Sequence, residues 1–360
     1  MSSANLIPPL GVIEGFFGPM WSWSEREHVA RTLAAAGYSF YLYAPKGDEA
    51  LRRHWQIPFT DEWLSEINSF AATCRSVGMR FGIGFSPFGL QNDYSNSHQD
   101  ALRQKLTEIS TLNLDYLAIL FDDMDAGTEN LALIQARIVD SITSTTKAKR
   151  FIVCPSYYSD DVVLDVVFGT RPEHYLQQIG NSLDQHIDVF WTGEEVCSRQ
   201  ISAGHLERVA ETIQRKPMLW DNYPVNDGAR MSSHLHLRAF TGRDPAIASL
   251  LSGHAINPAL QPTLGLIPAL TLEKNYAEGA KYEYGRAFTD AAVQVAGEPL
   301  ARFLQEDLLA LQDTGLHRLD ASRVVRLRER YTPHDHPVAR EVIRWLNGEY
   351  AMTNEMVQTQ

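Results

Sequence analysis

The sequence is poor in cysteine, short of positive charge and without a long apolar run. Its three cysteines, Cys74, Cys154 and Cys197, are an odd number without CxxC spacing, so they support neither a disulfide framework nor a zinc knuckle. A reducing, cytoplasmic setting is the simpler interpretation. The amino terminus, MSSANLIPPLG, has neither the basic start nor the apolar stretch of a secretion signal, and no segment offers about 18 uninterrupted apolar residues. We therefore expect a soluble, cytoplasmic protein with no membrane partner.

Positive charge is too sparse for nucleic-acid binding. The 360 residues carry 32 Lys and Arg against 44 Asp and Glu, a formal charge of -12, and no basic run that would follow a phosphate backbone. We expect no nucleic-acid partner. Apolar residues make up 44% of the chain and charged residues 21%, which excludes fibrous and disordered classes and fits one large core with an appendage.

Short apolar segments alternate with helical patterns along most of the chain. The predicted strands lie at 11–17, 40–45, 79–87, 115–123, 150–158, 188–193, 217–224 and 248–257. Because these strands are apolar on both faces, the eight units predict a parallel sheet closed into a (β/α)8 TIM barrel over residues 1–285. An open doubly wound sheet is the competing architecture. It normally has a glycine-rich phosphate turn after its first strand, where this chain has the bulky EGFFGP at 14–19.

The last part of the chain has a different pattern. Residues 286–360 are rich in Ala, Leu, Glu and Arg at helical spacing, which predicts a small α-helical C-terminal extension with a break at 331–333. We expect an apolar face that includes Val342, Ile343, Trp345 and Leu346 to be exposed there, as a possible homodimer contact.

In a TIM barrel the carboxyl ends of the strands share one face, and that face carries the site. The residues at these ends include Gly15, Lys46, Asp48, Asp122, Asp123, Asp125, Cys154, Tyr158, Trp191, Thr192, Glu194, Trp220, Asp221, Asn222, Asn226, Asp227, His254 and Asn257. Carboxylates and amides suit the hydroxyls of a sugar, while aromatic rings suit its apolar face. The pattern therefore favours a sugar-binding site.

Asp122 and Asp123, directly after the apolar AILF, are the sharpest feature of this set. Two carboxyl groups at close range resist joint ionisation, so the pKa of one should rise while the other stays charged. Glycoside cleavage needs both forms, because an acid protonates the departing oxygen and negative charge stabilises the sugar cation.

Two other interpretations of the acidic residues remain open. Asp122, Asp123 and Asp125 precede a helix predicted to begin near Gly127, where acidic residues act as N-terminal caps. A metal site is the second alternative, formed by the three aspartates with Asp221, Asp227 and His254, but no HxH or HExxH spacing supports it, and we expect no metal or cofactor.

Lys46 and the aromatic residues also have two interpretations. Lys46 suits a Schiff base, yet neighbouring Asp48 should keep it charged, which favours hydrogen bonding to a ligand. Trp191, Trp220 and Tyr158, with Tyr157, either fill the barrel rim or line the sugar site. A serine or cysteine nucleophile is not supported, because the chain has no GxSxG elbow and Cys154 has no basic neighbour in sequence.

Seven motifs together resemble the catalytic domain of glycoside hydrolase family 84, the O-GlcNAcases and related β-N-acetylglucosaminidases. They are GVIEGFFG at 11–18, YAPK at 43–46, FDDM at 121–124, CP at 154–155 with Tyr158, WTG at 191–193, WDNYPVND at 220–227 and NP at 257–258. The resemblance covers about residues 9–285 in order and at compatible intervals.

The resemblance implies a retaining exo-β-N-acetylglucosaminidase in which the substrate's 2-acetamido oxygen attacks the anomeric carbon and forms an oxazoline. Carried over by motif, Asp122 orients and polarises the acetamide, and Asp123 is the general acid that then serves as base. Tyr158 is implied to bond near the acetamide, and Cys154, Thr192 and Trp220 to shape its methyl pocket. The sugar itself is implied to be held by Gly15, Lys46, Asn222, Asp227 and Asn257.

Two positions depart from the family pattern. Phe17 stands where Tyr is common, and Gly47 replaces an Asp between Lys46 and Asp48. We expect these departures to affect substrate preference and rate rather than the reaction class.

Two other functions stay open from the sequence: an endo-acting or hyaluronidase-type glycosidase, and a catalytically silent barrel that binds GlcNAc. The expected partner in each case is a β-linked N-acetylglucosamine compound, either a glycoprotein, a glycan or a small glycoside.

Overall fold

A closed barrel of eight parallel strands forms the centre of the molecule. The computed structural model describes residues 6–124 and 130–353. Its barrel strands are β1 (Leu10–Ile13), β2 (Phe40–Tyr43), β3 (Arg80–Phe85), β4 (Tyr116–Leu120), β5 (Arg150–Cys154), β6 (Asp188–Trp191), β7 (Met218–Asp221) and β8 (Gly253–Ile256). Neighbours pair in chain order, and β8 closes onto β1 with His254 opposite Leu10. The predicted TIM barrel is confirmed and the open doubly wound sheet is excluded.

Helices surround the barrel and continue beyond it. Those in the described ranges are α1 (Trp23–Ala35), α2 (Asp61–Ser76), α3 (Asn96–Ile109), α4 (Leu131–Thr145), α5 (Val163–Phe168), α6 (Tyr175–Ser182), α7 (Ala203–Ile213), α8 (Leu266–Glu278), α9 (Tyr284–Leu308), α10 (Ala321–Tyr331) and α11 (Pro337–Leu346). Polar caps fix several starts. The Ser22 hydroxyl accepts from the backbone N–H of Glu25, whose carboxylate accepts from the backbone N–H of Ser22.

Most strands are shorter than the sequence predicts. The first was expected at 11–17 and ends at Ile13, and the fourth was expected at 115–123 and ends at Leu120. Phe16 and Phe121 lie beyond these ends yet are fully buried, because they fill the barrel mouth. Apolar character therefore continues past the last residue of the strand and does not mark where a strand ends. The eighth strand is also shorter at its start, since Asp244 caps a 3₁₀ turn at Pro245–Leu250.

The strands are buried on both faces, which explains their continuous apolar pattern. Every residue of β1, β2, β4, β6, β7 and β8 is buried, between the barrel interior and the helix layer. One hydrophobic cluster runs from the barrel into the C-terminal helices. Within the described ranges, no helix combines the length and the apolar composition that crossing a membrane requires.

The C-terminal helices pack against the barrel instead of presenting an apolar face to solvent. Helix α9 follows α8 and bends at Gly297, whose φ of 75° is left-handed. Helix α10 ends at Tyr331, which confirms the predicted break, but the expected exposure of the α11 face is wrong. Val342, Trp345 and Leu346 are buried within the chain and Ile343 is half-buried, because this face covers the shared core. The prediction of a homodimer rested on the exposure of this face, and the face is not exposed. The division at residue 285 stays a prediction.

Glu341 fastens α11 to the loop that follows β8. Its side chain is buried, and its carboxylate oxygens accept hydrogen bonds from the backbone N–H groups of Thr263 and Leu264, each at 2.8 Å. Burial raises the pKa of Glu341 to about 7, although these two hydrogen bonds favour the charged form. Since Asn257 lies at the start of this loop, the contact ties the C-terminal helices to the face that carries the site.

The raised pKa of Glu341 predicts a pH-dependent stability. The native state holds the Glu341 proton more tightly than the unfolded chain, so the free energy of unfolding should fall as pH rises from about 4.5 to about 7. Glu341→Gln removes this dependence. We expect the difference in unfolding free energy between wild type and variant to change by at most about 3 kcal/mol over this interval, measured by urea denaturation. The exposed Glu211→Gln on α7 is the control, and a difference that stays constant with pH contradicts the assignment.

Candidate active site

A cavity of about 390 Å³ opens at the carboxyl ends of the strands. Its lining residues are Gly15, Phe17, Asp122, Asp123, Cys154, Tyr158, Thr192, Val196, Trp220, Asn222, Asp227 and Asn257. Ten of the eleven site residues expected from the sequence are in this set. The eleventh, Lys46, contacts the cavity through Asp122.

Strand register explains why residues far apart in sequence meet here. Leu120 of β4 pairs with Cys154 of β5, so the two side chains share a face of the sheet. Asp122 follows Leu120 by two residues and therefore points to the same side as Cys154. In the same way Trp220 lies inside the barrel mouth, while its neighbour Asp221 points outward.

Lys46 joins the two aspartates at the floor of the cavity. Its ammonium group donates a short hydrogen bond to Asp122 Oδ2 and lies 3.9 Å from Asp123 Oδ2. The Tyr158 hydroxyl donates to Asp123 Oδ1 at 3.2 Å. Asp48, which was expected to keep Lys46 charged, is directed elsewhere: its Oδ2 accepts from the Tyr43 hydroxyl at 2.8 Å and the Trp63 indole at 2.7 Å.

The two carboxyl groups have different environments. Burial raises the pKa of Asp123, the Lys46 charge opposes that rise, and the Asp122 charge adds to it. Asp122 is almost completely buried, and its Oδ1 has no hydrogen-bond partner among the described residues. A raised pKa for one member of the pair is what the sequence analysis predicts.

The backbone at Asp123 is left-handed, with φ at 55°. This conformation costs of order 1 kcal/mol in a residue other than glycine, although Asp tolerates it better than most. The Arg52 guanidinium donates to the Asp123 carbonyl oxygen at 3.2 Å and helps to hold it.

Helix capping does not account for the acidic pair. Asp122 is engaged by Lys46, and helix α4 begins at Leu131 with Asn130 as its N-cap residue. Asp125 and the helix start expected near Gly127 lie outside the described residues.

One wall of the cavity is an amide network that joins three strand ends. Asn257 Oδ1 accepts from the Gly15 backbone N–H at 3.1 Å, and Asn257 Nδ2 donates to Asn222 Oδ1 at 3.0 Å. The Trp220 indole N–H donates to the same Asn222 oxygen at 3.0 Å. Nearby, Asp227 Oδ2 accepts from the Phe17 backbone N–H at 2.7 Å. These contacts fix the polar groups that face the cavity.

Another part of the cavity, to which the Trp220 ring also belongs, is mainly apolar. Cys154, Thr192 and Trp220 are all nearly inaccessible, and the Trp220 ring packs edge-on against Phe190 with centroids 5.2 Å apart. Burial raises the pKa of the Cys154 thiol well above its usual range, so the sulfur is neutral and acts as a small apolar surface.

Several residues at the strand ends are directed elsewhere. The Trp191 indole donates to His205 of α7 at 2.8 Å, and the Tyr157 hydroxyl donates to the Gly169 carbonyl at 2.6 Å, so both fill the helix layer. Asp221 pairs with Arg243 at 2.6 Å and contacts His254 at 2.9 Å. Burial alone would raise the pKa of Asp221, but Arg243 and His254 hold it well below its usual range.

These contacts remove Asp221 and His254 from the metal set considered above. Across residues 6–124 and 130–353, no group of three or more His, Cys, Asp or Glu side chains is arranged to hold a metal ion.

Sequence reasoning missed three residues. Val196 lines the cavity and its carbonyl accepts from Asn222 Nδ2 at 2.8 Å, but it lies in a loop without a motif. Phe17 was noted only as a departure, whereas its ring lines the cavity with Lys46 5.9 Å from its centroid. Arg52 lies in an irregular segment after β2. The sequence offered one indication of its role, which is that an arginine follows soon after the YAPK motif. The other departure, Gly47, is exposed at the rim beside Met20.

Gly15 provides a test of how tightly the cavity is built. A Cβ atom at this position overlaps the Trp220 ring, so Gly15→Ala should displace the indole and lower kcat/KM by about 100-fold or more on an aryl β-N-acetylglucosaminide. Gly47→Ala is the matched control, because its Cβ lies 3.3 Å from the flexible Met20 side chain. Steady-state kinetics with thermal unfolding of both variants checks this, and an active Gly15→Ala enzyme contradicts the described geometry.

Comparison with known proteins agrees with this geometry. A family model described as beta-N-acetylglucosaminidase matches residues 10–312. The chain is 30% identical over 258 residues to protein O-GlcNAcase of Rattus norvegicus and of Mus musculus, a match that covers 69% of this chain and 28% of each relative. It thus spans little more than a quarter of their length. The O-GlcNAc hydrolase of Thermobaculum terrenum has a similar solved structure, with a TM-score of 0.77 and 28% identity, covering 94% of this chain and 80% of that one. These matches show that the chain belongs to the β-N-acetylglucosaminidase family, glycoside hydrolase family 84.

Proposed function

We propose that this protein is a retaining exo-β-N-acetylglucosaminidase that removes terminal GlcNAc by substrate-assisted catalysis. The observation that carries the proposal is the division between the two aspartates. Lys46 holds Asp122 through one oxygen, and the other, buried oxygen has no partner in the part of the chain that the structure describes, while burial raises the pKa of Asp123. One group can therefore accept a hydrogen bond from an amide, and the other can donate a proton.

The first step follows from these two roles. The acetamide carbonyl oxygen attacks the anomeric carbon as the bond from that carbon to the leaving oxygen breaks, and Asp123 gives its proton to that oxygen. Asp122 Oδ1 accepts a hydrogen bond from the acetamide N–H, which makes the carbonyl oxygen a better nucleophile. The product is an oxazolinium ion, or the neutral oxazoline where Asp122 takes the acetamide N–H proton and returns it in the second step, and no covalent bond to the enzyme is formed.

The second step reverses the proton transfer. Asp123, now an anion, takes a proton from water, whose oxygen attacks the anomeric carbon and reopens the ring. The first attack inverts the configuration at the anomeric carbon and the second attack inverts it again, so the overall configuration is retained. Positioning and proton transfer by side chains are sufficient, and the proposal includes no metal or cofactor.

The remaining roles are those that the family resemblance implies. Gly15, Asn222, Asp227 and Asn257, which line the cavity, hold the sugar, with Asp227 binding outer hydroxyls. Lys46, which contacts the cavity through Asp122, belongs to this set by the resemblance alone. Cys154, Thr192, Trp220 and Tyr158 enclose the acetamide and its methyl group. We also propose a cytoplasmic location, which is supported by three cysteines that are all free.

The endo-acting alternative is retained because of one observation. A depression of about 2690 Å³ adjoins the cavity and shares Val196 and Asn222 with it, which leaves room for an extended substrate. Product analysis on chitin oligosaccharides and hyaluronan separates the two: release of GlcNAc alone supports the exo reaction, and oligosaccharide products support the endo reaction. Binding of GlcNAc without turnover identifies a silent barrel.

Asp123→Asn should discriminate between leaving groups. The variant lacks the acid, so kcat/KM on a GlcNAc glycoside with a poor leaving group should fall by about 10²–10⁴-fold, with a much smaller loss on an activated aryl glycoside. Asp122→Asn should damage both substrates alike, because both need the acetamide. Equal losses for Asp123→Asn on the two substrates argue against its assignment as the acid.

The acetamide requirement is tested with the wild-type enzyme. Aryl β-N-acetylglucosaminide should be cleaved at least about 10³-fold faster than the matching aryl β-glucoside, since the glucoside lacks the internal nucleophile. Initial rates at equal substrate concentration give the ratio. Comparable rates would remove the acetamide from the mechanism.

A further inference from the structure

Arg52 is a buried cation beside the acidic pair. It follows β2 in the chain, its residue is only 4% exposed, and its guanidinium lies between two aromatic rings. The distances from its central carbon are 5.4 Å to the Phe17 centroid and 5.0 Å to the Phe88 centroid. Such contacts favour a planar cation over the ammonium group of a lysine.

Through these contacts Arg52 joins three loops of the active-site face. Phe17 belongs to the loop after β1 and lines the cavity, Phe88 belongs to the loop after β3, and the Asp123 carbonyl belongs to the loop after β4. The segment that carries Arg52 is itself fixed, because the Leu51 carbonyl accepts from the Ser86 backbone N–H at 2.8 Å. The Trp55 indole also donates to the Phe88 carbonyl at 3.1 Å. These hydrogen bonds hold both the segment that carries Arg52 and the loop that carries Phe88 in place.

Asp123 needs such support for two reasons. Its left-handed backbone is unfavourable for a side-chain-bearing residue, so its peptide must be held by an outside contact. In addition, Asp123 changes charge during the proposed reaction, and the described charged or titratable groups that act on it are Lys46, Asp122, Arg52 and Tyr158. With both aspartates ionised, the two cations balance the two anions.

We propose that Arg52 is a positioning residue for the general acid/base: it holds the Asp123 peptide in its left-handed conformation and supplies the second positive charge that balances the ionised pair. This inference rests on the proposed role of Asp123. Arg52 does not line the sugar cavity, so its effect acts through Asp123 and not through sugar binding.

The test compares Arg52→Gln and Arg52→Lys with Arg53→Gln. Arg53 is the matched control, because it is the next residue, is exposed, and has its guanidinium carbon 5.8 Å from the centroid of the same Phe88 ring. Each variant is assayed on poor and activated aryl GlcNAc glycosides, with the pH profile of kcat/KM and a thermal unfolding curve.

Arg52→Gln should lower kcat on the poor leaving group by about 10–100-fold and on the activated one by less than about 5-fold, with little change in KM. Loss of the cation raises the pKa of Asp123, so the alkaline limb of the profile, which reports loss of the acid's proton, should move to higher pH. Arg52→Lys should keep the limb near its wild-type position and still lose rate, because it retains charge but not the planar contacts. Arg53→Gln should match wild type.

Equal losses of Arg52→Gln on both substrates with an unmoved alkaline limb overturn the inference, and so does full activity of a folded Arg52→Gln. The double variant Arg52→Gln/Asp123→Asn separates the two levels of the proposal. If the loss caused by Asp123→Asn depends on the leaving group, and adding Arg52→Gln causes no further loss, the roles of Asp123 and Arg52 both stand. If the loss caused by Asp123→Asn does not depend on the leaving group, the role of Asp123 itself is wrong. If only the loss caused by Arg52→Gln fails to depend on the leaving group, the inference about Arg52 alone is wrong.

Discussion

The buried contact between Lys46 and the Asp122–Asp123 pair is the constraint on which the site depends. Two neighbouring carboxyl groups at the floor of the cavity repel each other and lose hydration, and the Lys46 ammonium group beside both of them offsets part of this cost. The environments of the two groups differ: burial favours the proton on Asp123, while Asp122 contacts Lys46 through one oxygen and its other oxygen has no partner among the described residues. A barrel mouth provides this geometry because strand ends from β2 and β4 deliver the three groups to one point.

The rest of the structure holds that point in place. Amide contacts among Asn222, Asn257 and Gly15 join β1, β7 and β8 across the cavity. On the outer face of the barrel, Arg243 pairs with Asp221 at the end of β7. The buried carboxylate on the face of the strand opposite Trp220 therefore also has a partner. The C-terminal helices contribute through Glu341, which anchors the loop after β8. Polar groups are therefore buried in pairs on both sides of the strand ends, as low-dielectric surroundings require.

Local sequence patterns identified the fold and most of the site, and failed where side-chain direction or distant partners decided. Eight apolar segments with helical patterns between them were enough to predict the barrel. Cavity residues such as Asp227 were found because they follow strands in recognisable motifs. Trp191 and Asp221 are the last residues of β6 and β7, yet they point outward, because side chains alternate between the two faces of a strand and local sequence does not show which face is inside. Asp48 was expected to keep Lys46 charged because it is near in sequence, whereas the fold brings Asp122 of the loop after β4 to Lys46 instead.

The sequence by itself determined the barrel, the acidic pair and the set of polar residues around it, because periodicity and motifs are local properties of the chain. Only the tertiary structure decided that Asp122 Oδ1 has no partner among the described residues and that Asp123 adopts a left-handed backbone. It also decided that Phe17 and Val196 line the cavity and that Arg52 donates to the Asp123 carbonyl. It also decided that the apolar face of α11 is buried against the chain's own core. Most of these properties depend on contacts between residues far apart in the chain, such as Lys46 with Asp122, 76 positions away, and Gly15 with Asn257, 242 positions away. No pattern of local spacing encodes such contacts.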